Sequence, residues 1–245
     1  MKKDEKIDSN NKTASITGIS QKKVARITGF LYLMFILATF VADHFAVFSS
    51  SDRTTIVDKI IANEWLFSFG LISNLLSALF FLLAAWGLYV LLKQVNKSLA
   101  VLFLLLNSVG VAIQCLSVLN LFTSMQLLSG DEFLKVFQLD QLQAQAMYFI
   151  DMYTNGLIIA QIFYGAWLLP LGYLVYKSGF LPRLLGILLM IDCFAILIWF
   201  FQFFLLPDYE VISYPCLAVS ALAEFSLTLW LLIKGVKLPE ITPKN

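Results

Sequence analysis

Three carboxylates interrupt stretches that are otherwise apolar: Asp151 in "YFIDMYTNG", Asp192 in "LLMIDCFAI" and Glu224 in "ALAEFSL". No Lys, Arg or His accompanies them there. Carboxyls in apolar surroundings without a base beside them can hold a proton between them or coordinate a cation. Asp192 lies nine residues after Arg183, and Glu224 ten residues before Lys234. At a helical rise of about 1.5 Å per residue both fall roughly 14–15 Å from the flanking cations, the middle of a roughly 30 Å hydrocarbon layer. Equal depth on successive helices would let the two meet. A charged carboxylate at mid-helix in a membrane costs about 2.5–3.5 kcal/mol. Protonating one at pH 7 costs roughly 3.7–4.2 kcal/mol from its ordinary value. The two costs nearly balance, so the surroundings decide the state.

Neutral polar residues recur at helical spacing near these acids. Ser213, Cys216, Ser220, Glu224 and Thr228 form one stripe, and Asn107, Gly110, Gln114 and Ser117 another. Gly70, Asn74 and Ser77 repeat the pattern, and Asp151 and Asn155 stand four residues apart. Such stripes face the interior of a helix bundle, where they serve either as packing glue or as the wall of a site. The candidate proton or cation site is therefore Asp192 with Glu224, supported by Asn74, Asn107, Gln114, Asp151, Asn155 and Ser220.

The elements that must position them follow from composition. The 245 residues are 60% hydrophobic and 13% charged, against roughly 25% charged in soluble domains. Six apolar segments, Val24–Ala42, Leu66–Leu92, Leu99–Leu128, Met147–Tyr176, Leu184–Leu206 and Ile212–Ile233, approach or exceed the 20 or so residues that a membrane span needs. The fold class is all-α, a polytopic bundle of six transmembrane helices. Residues 1–23 read as a disordered cytoplasmic tail, 24–235 as the membrane domain and 236–245 as a short cytoplasmic tail.

Basic residues orient the bundle. If the N-terminus is cytoplasmic, the inner segments hold fourteen of the 17 Lys and Arg residues, among them Lys93, Lys97, Lys177, Arg183 and Lys234. Only Arg53, Lys59 and Lys135 lie outside. The stretch "GYLVYKSGFLPRLLGILL" is accordingly a cytoplasmic hairpin turn. Gly179 closes one helix in the left-handed conformation and Pro182 opens the next. On the outer side, "SSSDRTTIVDKIIANEW" and "SGDEFLKVFQ" read as two short amphipathic helices on the surface, the second capped by Ser129 and Glu132. Asp140 and Gln143 offer a cap for the fourth span. Each stretch precedes a two-helix hairpin with a basic turn, a pattern that a duplicated unit and ordinary short inner loops explain equally well.

Enzyme chemistry has little to stand on. His44 is the single histidine, which rules out a His-rich metal site, and neither H-E-x-x-H nor G-x-S-x-G occurs. Cys115, Cys193 and Cys216 have no motif spacing and read as small apolar residues. No cofactor is implied, and a net charge of +1 points to no nucleic acid. The partners implied are the lipid bilayer and, left open, a second copy or another membrane protein.

The motifs "KKVARITGFLYLMFILATFVA", "LLKQVNKSLA", "IFYGAWLLPLGYLVYKSGFLPRLLGILL" and "AEFSLTLWLLIKGV" together resemble a bacterial family of multi-pass membrane proteins known only as a domain of unknown function. The resemblance runs from Lys22 to Lys237. It implies a multi-pass protein of the bacterial cytoplasmic membrane with an uncleaved first span, and supplies no activity. Many members of that family carry a Leu-His-x-Tyr-Gly block where this chain has Met152 to Gly156, so Tyr153 stands where the histidine is expected. The expectation is a non-enzymatic membrane protein: a scaffold, partner subunit or envelope component. The alternative is a small-solute or ion transporter working through Asp192 and Glu224.

Overall fold

A computed structural model describes residues 2–45 and 53–236, with side chains from residue 21 onward except at 53–56 and 59. Among the described residues the regular structure is helical: α1 (Lys2–Phe45), α2 (Arg53–Ala62), α3 (Glu64–Leu92), α4 (Lys97–Leu127), α5 (Leu139–Ser178), α6 (Arg183–Leu205) and α7 (Ser213–Ile233). Two single 3-10 turns, Glu132–Val136 and Glu210–Ile212, join them. Six helices are long and apolar enough to cross a membrane, all but α2. The protein is a multi-pass membrane protein.

The predicted spans agree with the observed helices except at three places. First, the helix that carries the first span begins at Lys2 rather than at Val24. No proline interrupts that run, and extending an existing helix adds one hydrogen bond per residue fixed. Second, α5 starts at Leu139 rather than Met147, because Gln138 and Gln141 form a reciprocal capping box there. The expected Asp140–Gln143 cap is replaced by this earlier one. Third, "SGDEFLKVFQ" is a 3-10 turn that buries Leu134, and Asp131 rather than Ser129 precedes it without a side-chain cap. Elsewhere the local chemistry is as read. Asn63 and Asn96 accept hydrogen bonds from the backbone N–H groups of Leu66 and Leu99 and so start α3 and α4. Gly179 ends α5 at φ 71°.

The membrane helices form a closed ring in chain order. Each of α1, α3, α4, α5, α6 and α7 packs on the next, and α7 returns to α1. Successive spans run antiparallel, so Arg26, Lys93, Lys97, Lys177, Arg183 and Lys234 gather at one end, here called the basic end. Cations there lie over rings at the helix ends: Lys93 over Tyr89, Lys177 over Tyr173 and Arg183 over Tyr176, each 5.7–5.9 Å from the ring centre. On the basic side the ring is filled by a core that includes Leu88, Leu92, Phe103, Trp167, Leu171, Leu174 and Leu231. Towards the opposite end a second cluster forms, in which Val57 and Ile60 of α2 pack on Phe67, Val118, Leu121 and Ile150. The apolar face of α2 is thus turned onto α3 and α5.

The basic-end hairpin is tight. Gly172 on α5 and Gly186 on α6 face each other at backbone distance. A methyl group on Gly186 would sit 2.5 Å from the Tyr176 nitrogen, and one on Gly172 would sit 2.7 Å from the Gly186 carbonyl oxygen. Small residues of this kind let membrane helices approach closely. The α5 helix runs on through Pro170 without a break.

Candidate functional site: an acidic cavity inside the ring

Where the core stops, the ring encloses a cavity of about 840 Å³. All six membrane helices line it. Phe35, Thr39 and Asp43 come from α1, Asn74, Ser77 and Phe81 from α3, and Gln114 from α4. The long wall belongs to α5, from Ile150 and Asp151 through Gln161 and Tyr164 to Leu168. Trp199 and Gln202 on α6, and Ser213, Ser220 and Glu224 on α7, complete it. Pro207 and Glu210, in the connection between α6 and α7, lie at its mouth, at the end away from the basic residues. From Ser213 to Glu224 the wall descends about 16 Å along α7, so Glu224 is the floor.

The lining is charged with one sign. Asp43, Asp151, Glu210 and Glu224 are acidic, and no Lys, Arg or His is among the described lining residues. Behind the floor stands Asp192 on α6, fully buried, with neither carboxyl oxygen in a well-formed hydrogen bond and Ser220 of α7 beside it. Glu224 is close enough to Asp192 to feel its charge, and both carboxyls act on the Tyr32 hydroxyl of α1. Tyr32 is also fully buried, and its hydroxyl has no hydrogen-bond partner. Three helices therefore bring three ionisable groups together at mid-depth.

Beside this floor runs a hydrogen-bonded chain across three helices. The Tyr164 hydroxyl on α5 donates to Gln114 Oε1 on α4 at 2.7 Å. Gln114 Nε2 donates to Asn74 Oδ1 on α3 at 3.0 Å, and Asn74 Nδ2 donates to the Tyr153 hydroxyl on α5 at 2.7 Å. Tyr153 in turn lies within electrostatic reach of Asp43 on α1. Gly110, one turn before Gln114, gives the Tyr164 ring room: a methyl there would lie 2.5 Å from the ring. The chain fixes the amide orientations and joins the mouth to the middle of the wall.

The residues expected from sequence divide clearly. Asp192 and Glu224 come together, and Ser220 stands with them. Asn74 and Gln114 meet each other, and Asp151 lines the cavity near its mouth. Asn107 is fully buried but away from the cavity, with its amide atoms unpartnered. Asn155 faces outward from α5 and is exposed, because the lining face of α5 centres on Thr154 and Gln161 with Asp151 at its edge, and Asn155 lies about 100° round the helix from Thr154. Sequence reasoning missed Asp43, Glu210, Tyr32, Tyr153 and Tyr164. Asp43 falls one residue past the predicted end of the first span. Tyr153 carried a signal, since the resemblance had led to the expectation of a histidine at its position.

The model of the family described as a domain of unknown function, DUF4386, matches residues 27–235. An uncharacterised protein of the archaeon Archaeoglobus fulgidus is 30% identical over 157 residues, which is 64% of this chain and 78% of that protein. No solved structure matches. The chain belongs to the DUF4386 family.

Proposed function

We propose that this DUF4386 protein is a non-enzymatic protein of the cytoplasmic membrane that takes a small cation or a proton from the outer side into a site formed by Glu224 and Asp192. One observation carries the reading: a cavity with a single-signed acidic lining leads to Glu224, behind which lies a second buried carboxyl without a base. Opposite charge is what such a site lacks. A cation supplies it from the cavity, and a proton supplies it without one. Both termini lie in the cytoplasm on this reading, because the basic residues collect at the end away from the mouth. The acidic mouth then faces outward, where its field draws cations in.

The test is flux. Purified protein is reconstituted in liposomes loaded with a pH-sensitive dye, and an inward Na⁺ or K⁺ gradient is imposed. The expected result is a change in internal pH above that of protein-free liposomes, reduced at least tenfold by Glu224→Gln on the scale of a lost charged hydrogen bond. No flux from folded wild-type protein, together with constant co-purification of another membrane protein, would instead make the acids packing groups of a scaffold or subunit.

A further inference from the structure

The cavity is far larger than a proton or a metal ion requires. About 840 Å³ lies in the range of pockets that hold drug-sized organic molecules, roughly 300–1,000 Å³, whereas one water occupies about 30 Å³. Its walls also hold more apolar surface than an ion path needs. Phe35, Phe81, Tyr164, Trp199 and Phe203 surround the space above Glu224. Phe35 and Phe81 stack at 4.2 Å, and Tyr164 and Trp167 also pack against Phe81, tilted and edge-on, at 5.2 and 5.1 Å. Aromatic faces of this kind are a preferred surface for a desolvated cation.

Resting on the cation site proposed above, we propose that the ligand of this cavity is an organic cation with an apolar body, such as a quaternary or aromatic ammonium. Its charge lies against Glu224 and its body fills the aromatic box. Asp43 and Glu210 at the mouth concentrate such cations without binding them tightly. The buried carboxyl of Asp192 stands behind Glu224, with the uncharged, buried Tyr32 hydroxyl beside them. An anion of the same shape is repelled.

The experiment uses two probes of nearly identical shape and opposite charge, tetraphenylphosphonium and tetraphenylborate, in equilibrium dialysis against the detergent-solubilised full chain. Saturable binding of tetraphenylphosphonium at one site per chain is expected, with tetraphenylborate bound no more than by empty micelles. Glu224→Gln is expected to weaken the phosphonium by roughly tenfold or more, and Trp199→Leu by about threefold to tenfold. Equal uptake of both probes would reduce the effect to hydrophobic partition and overturn the proposal. Unchanged affinity in the two variants would do the same. Should Glu224→Gln fail to fold, Asp43→Asn with Glu210→Gln replaces it, and a drop in phosphonium affinity is again required. If the phosphonium does not bind while ion gradients still move protons, the ligand class falls and the carboxylate site stands. If Glu224→Gln alters neither readout, both fall.

Discussion

Tyr153 shows what one position can contribute in a membrane interior. Its hydroxyl accepts from Asn74, and Asn74 accepts from Gln114, which accepts from Tyr164. Each amide is oriented through its neighbour, so removing Asn74 takes two hydrogen bonds from the chain and leaves Gln114 Nε2 only the longer contact to Ser77 Oγ at 3.4 Å. Hydrogen bonds between membrane helices contribute about 0.6–2 kcal/mol, and an orphaned buried group costs roughly 1–3 kcal/mol. Asn74→Ala is therefore expected to lower the thermal midpoint in detergent by several degrees. Tyr153→Phe, which leaves the Asn74 to Gln114 bond in place, should cost less than half as much. Circular dichroism melts of the two variants check the order, and an Asn74→Ala protein as stable as wild type would remove the chain from the list of structural determinants.

At the scale of elements the α5–α6 hairpin is the most tightly specified piece. The Gly172 and Gly186 backbones touch, Gly179 takes a left-handed turn, and Arg183 and Lys177 rest on Tyr176 and Tyr173. A methyl group on Gly186 meets backbone rather than a yielding side chain, so the helices must part. Overpacking of this kind costs about 1–3 kcal/mol. Gly186→Ala should accordingly destabilise the protein more than Gly130→Ala, where no atom lies within 4 Å of the added methyl and only the positive φ is strained. Parallel thermal melts decide the matter, and the reverse order would show that the hairpin opens at no cost.

The ring as a whole sets what the cavity can reach. Its basic half is packed shut by Trp167, Phe103 and their neighbours, while its other half holds the cavity beside the smaller cluster around Phe67 and Leu121. An outward mouth and a sealed inner side follow only if the basic end is cytoplasmic. That orientation is expected to appear in cysteine labelling of a background lacking Cys115, Cys193 and Cys216. A membrane-impermeant maleimide should reach Ser129→Cys on intact cells and Gln94→Cys only after permeabilisation. Labelling in the opposite pattern would turn the cavity towards the cytoplasm and with it the direction of the proposed uptake.

By itself the amino-acid order determined the environment, the six spans, the hairpin turns and the two mid-depth acids. Each of these depends on local quantities: apolar length, the placement of Lys and Arg, the conformational freedom of Gly179, and residue counts from Arg183 and Lys234. Tertiary structure decided which of the polar stripes converge. Asn74 and Gln114 are 40 residues apart and meet only because α3 and α4 are neighbours in the ring, whereas Asn107, on the same stripe as Gln114, stops short of the cavity. Asn155 shares its spacing with Asp151 yet turns outward. Closure of α7 on α1 brings Tyr32 to Glu224, and ring closure is a property of packing among all six helices, which no periodicity within one of them encodes.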